Sequence, residues 1–184
     1  ATRGLASPQH SSDARAWALA GFEFVVNDGE HSGSDLLYGR EENAMLQRYG
    51  LTPIQRLPRE AISAHGDALA CGARGTMRPY ALTLDDAQVY VEAMDFPVGE
   101  GPRRHARGAY PVRMGDGAMT FTPDSLREAE GDRTLACLQF ETEEYLFDDG
   151  MRRSVLKVLS KRGNACAFVG ALDASMRCGD AARV

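Results

Sequence analysis

The chain is poor in residues that anchor several common architectures. Of its 184 residues only Lys157 and Lys161 are lysines, and every other basic position is arginine. Such a skew reflects genome composition more often than selection for bidentate anion binding, although arginine serves that chemistry better. There is one tryptophan, Trp17, and the four cysteines, Cys71, Cys137, Cys166 and Cys178, form no C-x-x-C pair. That spacing argues against a zinc ribbon or a thioredoxin-type site. The apolar context of Cys71, Cys137 and Cys166 favours buried free thiols in a reducing intracellular compartment or organelle. Two disulfides, in any of three connectivities, remain the open alternative.

No window approaches the roughly 20 apolar residues of a membrane-spanning helix. The most apolar run, Ala14 to Val26, is interrupted by Arg15 and Glu23. The N-terminus shows no basic stretch followed by an apolar one, so a leader is either lacking or already removed. Walker loop, G-x-S-x-G elbow and H-E-x-x-H are all missing, which excludes the commonest nucleotide, hydrolase and zinc-protease signatures. Histidines 10, 31, 65 and 105 stand in four separate segments, with no two at metal-ligating helical spacing. Isolated histidines of this kind are ordinarily surface or satisfied core residues.

What is present is the composition of a folded domain: 43% hydrophobic and 26% charged residues, with a formal net charge of −5. Basic residues are spread along the chain, and the densest patch, Arg103, Arg104, His105 and Arg107, is too small to track a phosphate backbone. No nucleic-acid partner is expected. The length suits one domain, residues 1–184, with lobes 1–98 and 109–184 meeting at the Gly99 to Gly108 loop.

Local patterns outline the elements. Trp17, Leu19, Phe22, Phe24 and Val26 nearly alternate, which predicts a strand pair or kinked strand broken at Ala20-Gly21, followed by a loop over Asn27 to Ser34. Glu41 to Tyr49 reads as a short helix stopped by Gly50, and a second helix is expected to open at Pro58 and run to Gly72. Thr83 can cap a helix that carries Leu84, Ala87, Tyr90 or Val91, and Met94 on one side and is blocked by Pro97. Pro111 to Phe121 reads as a hairpin turning at Asp116-Gly117, and Thr122-Pro123 opens a helix ending at Gly131. Leu135 to Phe147 has an ambiguous period. Met151 to Arg162 has an apolar stripe of Val155, Leu156 and Leu159 ending at Gly163, a clear helix. The expected fold is α+β: a single compact domain with a short β-rich N-terminal lobe and a mixed helix and hairpin C-terminal lobe. The acids Glu141, Glu143, Glu144, Asp148 and Asp149 lack the spacing of a calcium loop and read as a solvated face.

One pattern carries more specificity. Gly29-Glu30, then Leu36-Leu37-Tyr38-Gly39, then Asn43, Leu46 and Tyr49-Gly50 resemble the C-terminal end of the SET domain of the Rubisco large-subunit methyltransferase-like branch. His10-Ser11-Ser12 ahead of a Trp-bearing segment is similar to the stretch preceding that motif. The resemblance covers residues of about 9 to 51. It implies that Tyr38 is the catalytic tyrosine, a phenol that aligns a lysine amine with a sulfonium methyl group, and that His10 lies against S-adenosylmethionine. The same residues also fit a plain scaffold, with Tyr38 and Tyr49 at a core edge and Asn43 on a helix surface.

A SET fold needs an N-terminal half, and fewer than ten residues precede His10. The expected function is therefore a non-catalytic, protein-binding accessory subunit of a larger assembly, derived from a SET fold, with other protein subunits as partners and no cofactor. The alternative is an S-adenosylmethionine-dependent protein-lysine methyltransferase completed by a missing segment or partner. No metal is expected.

Overall fold

The computed structural model describes residues 4–7, 13–31, 36–95 and 134–178. Strands and helices alternate: β1 (Gly4–Ser7), α1 (Ala14–Leu19), β2 (Phe24–Asp28), α2 (Leu36–Arg48), β3 (Thr52–Arg56), α3 (Ala64–Ala70), β4 (Gly75–Arg78) and α4 (Leu84–Met94). Then follow β5 (Leu135–Phe140), α5 (Glu143–Phe147), α6 (Asp149–Leu159), β6 (Ala165–Val169) and α7 (Ala171–Cys178). The six strands form one sheet in the order β1-β2-β3-β4-β5-β6, and all five pairings are parallel.

This overturns the α+β expectation. Strands in strict chain order, all parallel, with intervening helices, wind in one sense, whereas a doubly wound sheet reverses its order midway. The architecture is an arc of a (β/α) barrel. The Trp17 segment is helix α1, because Ala14 is buried and Trp17 and Phe22 pack with Val25, Leu46 and Leu51. A near-alternation over a few residues was misread as a strand period. Strands β1, β3, β4 and β6 were not anticipated. β4 is buried along its whole length and β5 almost so, as expected of parallel strands covered on both faces, which lose the two-residue alternation. The helix expected from Pro58 starts at Ala64. The expected hairpin, the Thr122-Pro123 helix and the Arg103 to Arg107 patch lie outside the described residues.

Two faces of the sheet have different duties. On the outer face Leu57, Ala136, Leu138 and Phe140 pack under α3, α4, α5 and α6 through Leu69, Tyr90, Tyr145 and Leu159. On the inner face Val26, Ile54, Met77 and Cys137 form a separate apolar layer with Phe24, Leu135 and Cys166. The Thr83 cap is present as a full capping box, Thr83 and Asp86 each accepting from the other's backbone N–H. The Met151 helix is present as well, though it opens earlier on the Asp148 cap, and Leu156 stays exposed while Val158 is buried. A tyrosine from α4 reaches into the sheet: Cys137 N–H donates to the Tyr90 hydroxyl at 2.9 Å, which donates to the Thr76 carbonyl at 2.7 Å, relaying one β4–β5 ladder bond.

At the β6 side, Phe168, Val169, Leu172 and Met176 are exposed. Among the described residues no helix is long and apolar enough to cross a membrane.

Candidate functional site

Strand polarity brings the C-terminal ends of β2 to β6 to one rim of the arc, and in (β/α) barrels that rim carries the chemistry. Asp28 ends β2 and Arg56 ends β3, paired in register. By strand alternation both point to the inner face with Val26 and Ile54. Arg56 Nε donates to Asp28 Oδ1 at 2.9 Å, a second guanidinium nitrogen pairs with Asp28 Oδ2, and Arg56 Nη1 lies 3.4 Å from Glu30 Oε2. Asp28 also accepts the backbone N–H groups of Glu30 and His31, which shapes the turn that presents those two side chains. His31 stands exposed at the rim, with Nε2 3.5 Å from Glu30 Oε2.

Across the rim Glu141 follows directly on β5 and is 1% exposed. Gln139 Nε2 donates to its Oε1 at 2.7 Å and the Tyr80 backbone N–H to its Oε2 at 3.0 Å. The Tyr80 hydroxyl donates to Asp173 Oδ1 at 2.7 Å, so one residue after β4 ties together carboxylates from β5 and from the first turn of α7. Tyr80 adopts φ +49, a left-handed conformation that non-glycine residues seldom take, and such strain concentrates at functional sites. Gly170 leaves the room for this arrangement, since a Cβ there would overlap the Glu141 carboxylate.

The electrostatics follow from burial and crowding. Burial first, then the charges of Asp173 and Glu30, pushes the Glu141 carboxyl above its usual range, against the Tyr80 N–H and Arg56. Burial likewise raises Glu30 despite Arg56. Burial also acts on Asp28, yet its bonds to Arg56 and to the His31 and Glu30 N–H groups outweigh it and hold that carboxyl below the usual range. The Tyr80 phenol is pushed up to about 12, first by its bond to Asp173 and then by burial. Four carboxylates thus face one guanidinium. A rim of that balance attracts a cation, and a magnesium-type ion is commonly held by one or two carboxylates while substrate and water supply the remaining oxygens. Glu141 and Asp173 are a suitable pair of hard oxygen donors. No cluster of three or more metal-ligating side chains occurs among the described residues.

Of the two residues singled out through the SET resemblance, only the Tyr38 backbone is described. Tyr38 falls in the first turn of α2, the crossover between β2 and β3, and its side chain, like all of His10, lies outside what the structure describes. Asn43 is 1% exposed and not on a helix surface: it accepts from Asn27 and donates to the Cys71 carbonyl. Glu141, expected on a solvated acidic face, is buried. Asp28 and His31 were read as part of a loop, Glu30 was assigned instead to the SET-like motif, and Arg56 and Asp173 were not singled out. A polar residue terminating each short apolar run was the available signal.

Fold and rim together define the class as a (β/α)-barrel-type protein with a charged C-terminal mouth. No protein-family model matches the chain, and no curated protein is significantly similar in sequence. Solved structures are similar in fold. An HpcH/HpaI aldolase from Desulfitobacterium hafniense superposes with a TM-score of 0.75 at 19% identity, over 97% of this chain and 65% of its own. An HpcH/HpaI aldolase/citrate lyase family protein from Burkholderia cenocepacia gives 0.73 at 24%, over 97% and 67%. The citrate synthase SbnG gives 0.73 at 19%, over 97% and 64%. The chain therefore spans about two thirds of the length of these proteins. Their fold is the one seen here and not that of a SET methyltransferase, which corrects the SET assignment and the SET-derived accessory subunit built on it. The accessory reading also presumed that no chemical constellation exists, whereas the rim assembles one.

Proposed function

We propose that this chain forms the catalytic face of a lyase that makes or breaks a carbon–carbon bond next to the carbonyl of a small 2-oxo acid. The observation that carries the reading is Arg56 within electrostatic reach of Glu141, which Tyr80 ties to Asp173, with His31 beside Glu30 on the same rim. The fold likeness to proteins named aldolase, citrate lyase family and citrate synthase supports it.

The chemistry needs three things: a grip on the substrate carboxylate, stabilisation of an enolate oxygen, and a base for the hydroxyl proton. Arg56 offers a planar fork suited to a carboxylate, and substrate binding would exchange part of its pairing with Asp28 and Glu30 for the incoming anion. Glu141 and Asp173 would hold a hard divalent cation, which would polarise the carbonyl that a 2-oxo acid presents alongside its carboxylate. In the cleavage direction His31, backed by Glu30, takes the proton from the hydroxyl on the carbon to be released. The electron pair of the broken C–C bond then moves into the enolate, which is later protonated. Tyr80 keeps the two carboxylates in place, and its high phenol pKa keeps its proton committed to Asp173.

The test is release of a 2-oxo acid from 4-hydroxy-2-oxo acids by the purified chain with Mg²⁺ or Mn²⁺, followed through a coupled NADH-consuming dehydrogenase. Glu141→Gln should abolish both release and Mn²⁺ binding. Release that is unaltered by Glu141→Gln, or no release together with no Mn²⁺ binding, would sink the proposal.

A further inference from the structure

Below the rim, the inner apolar layer contains an unusual pair. Cys137 on β5 and Cys166 on β6 are direct partners in the parallel register. Both lie in the inner-face layer with Met77 and Leu135, and the two thiols are close enough to shift each other's titration. Neighbouring strands run about 4.7–4.9 Å apart, which falls inside the Cα separation of roughly 4.4–6.8 Å that a disulfide spans. Neither cysteine is in a disulfide, and nothing in the rim chemistry uses them. We infer that Cys137 and Cys166 form a reversible dithiol–disulfide site, oxidised by a hydroperoxide and reset by an external dithiol.

The two thiols are not equivalent. Cys137 is 2% exposed, while Cys166 on the outermost described strand is half-buried. The interaction between the two thiols lowers the Cys166 thiol against the effect of burial, while the same interaction and burial together push Cys137 up. Cys166 is thus the better thiolate, and thiolate character with access decides which cysteine reacts first. Its sulfur attacks one peroxide oxygen, the O–O bond breaks, and the departing hydroxide is protonated to water, leaving Cys166 as a sulfenic acid. The Cys137 sulfur then attacks that sulfur, the S–O bond breaks, and the leaving hydroxide takes the Cys137 proton as a second water. Two thiols are oxidised by two electrons and one peroxide is reduced to two waters. An external dithiol reverses the bond by exchange.

The experiment treats the native chain with hydrogen peroxide, blocks remaining thiols with N-ethylmaleimide and maps the digest by mass spectrometry. A linked Cys137–Cys166 peptide, lighter by two hydrogens and restored by dithiothreitol, is the expected product. Cys166→Ser should slow peroxide-dependent thiol loss by about tenfold or more. Cys137→Ser should leave Cys166 as a sulfenic acid that dimedone captures, and Cys71→Ser should change nothing. Phenylarsine oxide, which bridges neighbouring thiols, should protect both residues of the unmutated chain from alkylation, a readout that does not depend on any variant folding. The inference is overturned if Cys166 proceeds to sulfinic acid without a link, if either residue pairs instead with Cys71 or Cys178, or if neither thiol reacts before the chain is unfolded.

Discussion

Lowering the pH from 7 to 5 should destabilise this protein through one histidine. His65 in α3 is fully buried, 0% exposed, in the main core. The Thr76 hydroxyl lies 2.8 Å from His65 Nδ1, 3.0 Å from Met94 Sδ and 3.1 Å from the Tyr90 hydroxyl. His65 Nε2 has no hydrogen-bond partner among the described residues and its ring meets Tyr90 edge-on at 4.9 Å. Burial, aided by the Arg78 charge, lowers the imidazole to about 3. An unfolded histidine titrates near 6.5. Between those values the unfolded chain binds a proton that the folded chain refuses, so stability is fully present above about 6.5 and falls as pH drops toward 3, by up to about 1.4 kcal/mol per pH unit. From pH 7 to 5 the loss is about 2 kcal/mol, set against a typical total of about 5–15 kcal/mol. Glu30 and Glu141 act oppositely, because carboxyls raised in the folded state take up protons there first and add stability as pH falls. Comparing the protein with His65→Asn removes their contribution, since both forms share it. Urea unfolding at pH 7 and pH 5, with equal m-values, should show the unmutated chain losing about 2 kcal/mol more than the variant. Equal losses in the two proteins would refute the reasoning.

Three further outcomes follow from the rim and its supports. Gly170→Ala should displace the Glu141 side chain without unfolding the barrel arc, so Mn²⁺ affinity drops by about tenfold or more while the melting temperature moves little, checked by titration calorimetry and thermal melts. Arg56→Gln removes the rim's carboxylate fork and should lower kcat/KM for a 2-oxo acid by about 30- to 1,000-fold, equivalent to about 2–4 kcal/mol, in steady-state kinetics. Thr83→Ala breaks the α4 capping box and should lower stability by about 1 kcal/mol in urea melts, with activity unchanged.

Helix ends were the most legible part of the fold, because their signals are local. Thr83 at α4 and Gly50 after α2 were read correctly from spacing alone. The strands were not. β4, Gly-Thr-Met-Arg, carries no strand signal, and β5 lies in a segment whose period read as ambiguous, although each is covered by helices on one side and by the inner layer on the other. Buried on both faces, they show none of the period-two pattern that marks an exposed-face strand. Missing them turned an alternating α/β chain into an α+β one, and left the Gly29-Glu30 and Tyr38-Gly39 segments to be compared with a SET motif.

The rim was hidden for a different reason. Asp28, Arg56, Glu141 and Asp173 are separated by 28, 85 and 32 positions in the chain, and none makes a motif with its sequence neighbours. Composition, charge and caps were determined by the sequence alone, because each depends on residues close together along the chain. The convergence of one guanidinium and four carboxylates depends on parallel strands ending on the same side, and on Gly170 and Tyr80 making room for and tying the acids together. Only the tertiary structure brings those strand ends within hydrogen-bonding distance, where burial and mutual repulsion give the acids a chemistry they lack when far apart.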